Sequence, residues 1–191
     1  LLNKMKKILT IILLPLLFSC TSGIPNLDKA WGIKNQEYQQ KFGTRTYQMK
    51  KETAMNAMQV AFQKLSLITT QSDFQTGLIV ATANAPKPLS YEEYERVQEV
   101  ENPTVDEAFG LVGSLFFTWD ALDEFESKFS AVFLETGSGV QISLRGNLDF
   151  TGDRALKRPV SEFPPEGVRL VYAKIWEEFE KIAFIQNKTL K

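Results

Sequence analysis

The sequence predicts an α+β fold, a two-layer sandwich in which helices cover one face of an antiparallel sheet. Three observations carry that expectation. Apolar and polar residues alternate from Phe125 to Leu134 and again from Val140 to Phe150, with Gly137-Ser138-Gly139 between them, which is the pattern of a long hairpin. Val168, Tyr172, Ile175, Phe179 and Ile182 recur at helical spacing near the C-terminus, as Ala54, Met58, Ala61, Phe62 and Leu65 do earlier. Helices that follow strands in this order must cover one face of an antiparallel sheet, in a helix-grip or split β-α-β arrangement.

Taken in order, Thr44–Met49 reads as a short first strand and Lys51–Lys64 as the first covering helix. Leu67 to Thr70 reads as a strand running into a polar turn, Gln71-Ser72-Asp73. Gly77 to Ala83 is rich in β-formers and is closed by Asn84-Ala85-Pro86-Lys87-Pro88. Ser90-Tyr91-Glu92-Glu93 has the form of a capping box, and Tyr91, Tyr94, Val97 and Val100 share one face of a helix expected to end near Pro103. Between residues 105 and 119 the signals conflict. Ala108, Leu111, Val112, Leu115 and Phe116 suit a helix, whereas Gly110 and Gly113 oppose one, so the segment is either core or exposed. Thr151 to Pro165 reads as a polar loop carrying Arg154, Lys157 and Arg158, and the last helix places Trp176 at the margin of its apolar stripe. The whole is one α+β domain over residues 44–186, with a helical insert at about 90–119 and no tandem repeat.

The amino-terminal end has a different character. Lys4, Lys6 and Lys7 precede an apolar run from Ile8 to Phe18, relieved only by Thr10 and Pro15. A basic lead and an apolar stretch of about 11 residues fit a signal peptide and fall short of a bilayer span. Leu1 to Lys4 read as sequence upstream of a start at Met5. The run ends in Leu17-Phe18-Ser19-Cys20, which resembles the lipobox of bacterial lipoproteins. Leu17 is the aliphatic residue three before the cysteine and Ser19 the small residue just before it, while Phe18 is bulkier than the usual occupant. The resemblance implies a signal peptide over residues 1–19, cleavage before Cys20 and acylation of that cysteine. It also implies a membrane partner through the lipid anchor. Thr21 and Ser22, in place of Asp, imply by the same resemblance the periplasmic face of the outer membrane rather than the inner membrane. Residues 20–43, rich in Gly, Pro, Asn and Gln, read as a tether, with Trp31 expected to dock on the domain or else to sit at the lipid interface.

Composition narrows the chemistry. The chain has no histidine, and Cys20 is its only cysteine. Ser-His-Asp and Cys-His hydrolysis and histidine-based zinc sites are therefore excluded, and no enzyme activity, metal or cofactor is expected. The net charge of −1 becomes more acidic once the signal lysines are removed, which argues against a nucleic-acid partner. Glu92, Glu93, Glu95, Glu99, Glu101, Asp106 and Glu107 read as the solvated face of a helix rather than a cation site. Asp120, Asp123 and Glu124 lack the order of a calcium loop, and Gly137-Ser138-Gly139 joins two strands, so it is a turn and not a phosphate cradle.

The expected function is thus a lipid-anchored periplasmic lipoprotein, a non-enzymatic binding or assembly subunit of the cell envelope. If the 105–119 segment lies outside the sandwich, Leu111, Leu115, Phe116 and Trp119 form an apolar docking patch for an envelope protein partner. The rival is a carrier or sensor holding a lipid or other apolar ligand between sheet and final helix. It requires a cavity lined from Phe129, Phe133, Leu144, Tyr172 and Trp176. A carboxylate-dependent glycan enzyme would need two acids about 5–10 Å apart across one cleft. The element order over residues 44–185, with the envelope location, is similar to the domains of the C-type lipoprotein subunit of the outer-membrane β-barrel assembly machine. What that resemblance implies is the fold.

Overall fold

The computed structural model describes residues 23–114, 117, 119, 125–150 and 162–189. A helix through residues 23–42 (α1) leads into β1 (Thr44–Tyr47), α2 (Lys51–Lys64), β2 (Ile68–Asp73) and β3 (Leu78–Asn84). Then come α3 (Tyr91–Gly113), β4 (Phe125–Thr136), β5 (Gly139–Phe150) and α4 (Pro165–Thr189). The strands form one antiparallel sheet in the order β1-β5-β4-β3-β2, and helices pack against it, so the fold is α+β. The first strand pairs with the last, which is the helix-grip order.

Because β1 and β2 lie at opposite edges, α2 must carry the chain across the sheet. Its 14 residues span about 21 Å, close to the roughly 19 Å between the outer strands of a five-stranded sheet. Ala54, Met55, Ala57, Met58, Ala61 and Phe62 are buried beneath it. The small alanines let the helix axis approach the sheet, and Met and Phe fill the remaining gaps. The hairpin supplies the facing layer. Phe129, Ala131 and Phe133 of β4 and Val140, Ile142 and Leu144 of β5 all point into the core. Thr136 pairs with Gly139, leaving Gly137 and Ser138 as a two-residue turn.

From α4, Val171, Tyr172, Ile175, Trp176, Phe179 and Ile182 close the core. Trp176 is only 1% exposed, so it lies in the middle of the stripe and not at its margin. Its Nε1 donates to the Phe42 carbonyl at 2.7 Å, and the Arg45 guanidinium lies 5.0 Å from its ring centre. An indole with both its N–H and its face occupied can be buried without loss.

Several boundaries differ from the sequence expectation, each for a physical reason. Gln71, Ser72 and Asp73 continue β2 instead of turning. At an edge strand polar side chains cost nothing, so polarity there does not mark a turn. The turn falls at residues 74–77, where Asp73 Oδ1 accepts from the Gln75 and Thr76 N–H groups. Gly77 closes it at φ 71°, where a Cβ would also overlap the Phe133 carbonyl. The Ser90 capping box forms, with Glu93 N–H to Ser90 Oγ at 3.1 Å and Ser90 N–H to Glu93 Oε2 at 2.7 Å. The helix it starts does not end at Pro103 but runs to a break at Gly110 (φ 71°, ψ 167°). Tyr94 and Val97 are buried as expected, whereas Tyr91 and Val100 are exposed.

The largest correction concerns residues 20–43. From residue 23 this stretch is a helix, not a tether. Its Leu27 and Trp31 are buried and Phe42 is partly so. Ile24, Leu27, Trp31, Tyr38 and Phe42 fall at helical spacing, with Pro25 tolerated in the opening turn. The Gly and Pro content of the stretch obscures that stripe.

Candidate functional site

Where α1 meets α3, a second small core forms beside the main one. Leu27 and Trp31 of α1 pack against Val105 and Phe109 of α3, with Ile24, Ala108, Phe117 and Trp119 around them. Trp31 and Trp119 stack at 5.9 Å between ring centres, and Phe117 meets Trp119 edge-on at 5.4 Å. Phe109 reaches Phe117 at 5.3 Å, and Tyr94 ties Trp119 back to the main core at 6.2 Å. This burial carries α3 past Pro103, whose missing N–H would otherwise favour an end there.

Glu101 is the polar centre of this pole. It is 3% exposed, yet both carboxylate oxygens have donors. Trp31 Nε1 donates to Oε2 at 3.1 Å, and the Glu166 backbone N–H at the start of α4 donates to Oε1 at 2.9 Å. One side chain thus joins α1, α3 and α4. Asn35 adds a parallel link, donating to Glu162 Oε2 at 3.0 Å and to the Phe163 carbonyl at 2.9 Å. Asp28 accepts from the Glu162 N–H at 3.1 Å.

The predicted site residues are distributed unevenly. Cys20, Leu115 and Phe116 lie outside the described residues, as does the Arg154, Lys157 and Arg158 loop. Leu111 belongs to the last turn of α3, beyond the Gly110 break. Trp119 lines a solvent-open hollow along α3. It is half-buried between the two cores, and its Nε1 donates to Asn102 Oδ1 at 3.2 Å. The acidic run divides into three kinds. Glu92, Glu95, Glu99, Asp106 and Glu107 are exposed, Glu93 is paired, and Glu101 is buried. The burial of Glu101 is not legible in the sequence, because a glutamate amid exposed acids carries no mark of it.

Glu93 bridges α3 to α4 by bonds of 2.6 and 2.9 Å from Lys174 Nζ. Burial opposes its ionisation, but Lys174 and the Ser90 N–H outweigh that and hold its carboxyl below the ordinary range. Among the described residues no group of three or more His, Cys, Asp or Glu side chains could hold a metal ion. Between sheet and α4 lies a crevice of about 30 Å³, lined by Ser127, Phe129, Phe163, Val168, Val171 and Tyr172. That is about the volume of one water. Of the five residues expected to line a ligand cavity, Phe133, Leu144 and Trp176 are instead packed in the core. Tyr172 donates to Gln39 Oε1, and burial pushes its phenol up to about 12.

Larger hollows among the described residues are open to solvent. One, of about 760 Å³, lies at the hairpin tip among Met49, Lys50, Lys51, Phe74, Glu135 and Ser138. Another, of about 430 Å³, runs along α3 between Glu95, Glu99, Asp106, Phe117 and Trp119. The sheet face opposite α2 and α4 exposes Ile68, Val132 and Leu134, at 70%, 46% and 61%. No helix among the described residues is long and apolar enough to cross a membrane. No protein-family model matches the chain, and no curated protein matches it at a significant level.

Proposed function

We propose that this chain is a bacterial lipoprotein, anchored by acyl chains on Cys20 at the periplasmic face of the outer membrane. In this reading it is a non-enzymatic subunit that binds another envelope protein. The observation that carries the reading is the junction of anchor and domain. A lipobox-like Leu17-Phe18-Ser19-Cys20 is followed after only two residues by α1, and α1 is bound to the body through Trp31, Glu101 and Asn35. An anchor joined directly to a folded body suits a subunit held in place for a partner. So short a link does not suit a shuttle. The water-sized crevice speaks against an apolar cargo between sheet and α4, since a single acyl chain needs roughly several hundred Å³. The absence of histidine removes the commonest acid–base and metal chemistry.

Mild crosslinking of envelopes, purification of the lipidated chain and native mass spectrometry test the proposal. A stoichiometric protein partner is the expected result. A lone protomer carrying a lipid-sized mass beyond its own acyl groups would replace the subunit reading with a carrier. Cys20→Ser should shift the protein out of the membrane fraction, and its retention there, unprocessed, would mean that the apolar run itself is the anchor.

A further inference from the structure

Resting on the lipoprotein reading, we infer that the domain does not hang from the bilayer but is seated on it in one orientation. The Gly23–Phe109–Phe117 pole faces the lipid surface, and the Gly137-Ser138 hairpin tip points away.

The first argument is the length of the link. Only Thr21 and Ser22 separate Cys20 from Gly23, so the backbone of the acylated residue lies within about 11 Å of Gly23 even when fully extended. Gly23 itself is already part of the body. It is buried, and a Cβ there would overlap the Phe109 ring, so the helix backbone lies directly on α3. A flexible tether of about twenty residues would let the domain wander by roughly 25 Å, whereas this short link holds the pole next to the headgroups.

The second argument is the direction of the chain from that pole. Asn35 meets Phe163 just before α4, and along α4 Gln39 meets Tyr172, Phe42 meets Trp176 and Arg45 meets Glu180. The chain from α1 into β1 therefore runs parallel to α4, away from Gly23, and α1 alone covers about 30 Å. At the far end Tyr47 donates to Glu180 at 2.7 Å and pairs with Val140, next to the hairpin turn. The turn and the anchor thus lie at opposite poles. Asp106 and Glu107 are exposed on α3 close to Phe109 and Lys29 is exposed in the first turns of α1, so this end carries both signs of charge and suits a zwitterionic lipid surface.

The test uses the full, lipidated protein in phosphatidylcholine vesicles containing headgroup-nitroxide lipid. A single cysteine is placed either on α3 near the seat (Glu107→Cys) or at the tip (Ser138→Cys), both exposed positions. Each is labelled with one fluorophore, since the Cys20 sulfur is alkylated. The expected result is quenching roughly threefold or more stronger at position 107 than at 138, given the separation of about 30 Å or more. A spacer of about 12 Gly and Ser residues before Gly23, reaching roughly 20 Å, should abolish the difference. Equal quenching at the two positions without the spacer, or a difference that survives it, overturns the inference. An intact mass without acyl groups instead removes the lipoprotein reading, and the orientation with it.

Discussion

Glu101 is the residue on which the junction of α1 with the body most depends. Its carboxylate is buried and satisfied only because Trp31 and the first turn of α4 each supply a donor. Glu101→Ala would leave the buried Trp31 N–H and the partly buried Glu166 N–H without an acceptor, a loss of about 2–3 kcal/mol. Glu101→Gln keeps one acceptor and should cost about 1–2 kcal/mol. Urea midpoints of the two variants check this, and equal midpoints for both would show that the site is open to water. Trp119 belongs to the same stack. Replacing it with Ser removes the ring that lies 5.9 Å from Trp31 and should cost about 1–2 kcal/mol, since the ring is only half-buried. A melting temperature unchanged in Trp119→Ser would return the residue to the docking role expected from the sequence.

Among the elements, α3 is held at its two ends by different forces. Its C-terminal half is held by apolar burial against α1, and its N-terminal end by the Ser90 cap and the Glu93–Lys174 bridge. The bridge has a definite pH signature. The folded carboxyl of Glu93 is held below its ordinary value of 4.5. It therefore adds stability that is fully present above about pH 4.5 and is lost as the pH falls through the depressed folded value. Lys174→Met should lower stability at pH 7 by up to about 1 kcal/mol and shrink the difference from the parent as the acid is titrated. Unfolding curves at pH 7 and pH 3 measure this, and a penalty that grows toward low pH would contradict the assignment. The pair is about 30% exposed, so solvent screening keeps the figure small.

Among the described residues, one face of the sheet is covered and the other open, and the two poles are unlike. The covered face owes its stability to α2 and α4, which share a single core with the hairpin. The open face carries Ile68, Val132 and Leu134, and the hairpin pole carries the open hollow between Lys50, Lys51 and Glu135. If the Gly23 pole is seated on lipid as proposed, both of these surfaces stay accessible to a protein partner. Crosslinks to that partner are accordingly expected from Ser138→Cys or Leu134→Cys and not from Glu107→Cys. Dominant capture from position 107 would place the partner at the membrane pole and count against the arrangement.

Whatever depends on local periodicity is legible in the order of residues. Lys51–Lys64, the β4–β5 hairpin with its turn at Gly137-Ser138, the Ser90 cap and the apolar stripe of α4 all show as short-range spacing or as local hydrogen-bonding chemistry. Whatever depends on a partner distant in the chain emerges only when the chain is folded. Residues 23–42 are rich in Gly, Pro, Asn and Gln and become a helix because Leu27 and Trp31 find Val105 and Phe109, roughly seventy or more positions away. Pro103 fails to end α3 for the same reason, and Glu101 is buried among exposed neighbours because Trp31 and Glu166 converge on it. Local propensity costs about 1 to 3 kcal/mol at a glycine or proline, and burying an aromatic side chain returns as much or more. Where the two compete, long-range packing prevails, and its partners carry no short-range mark.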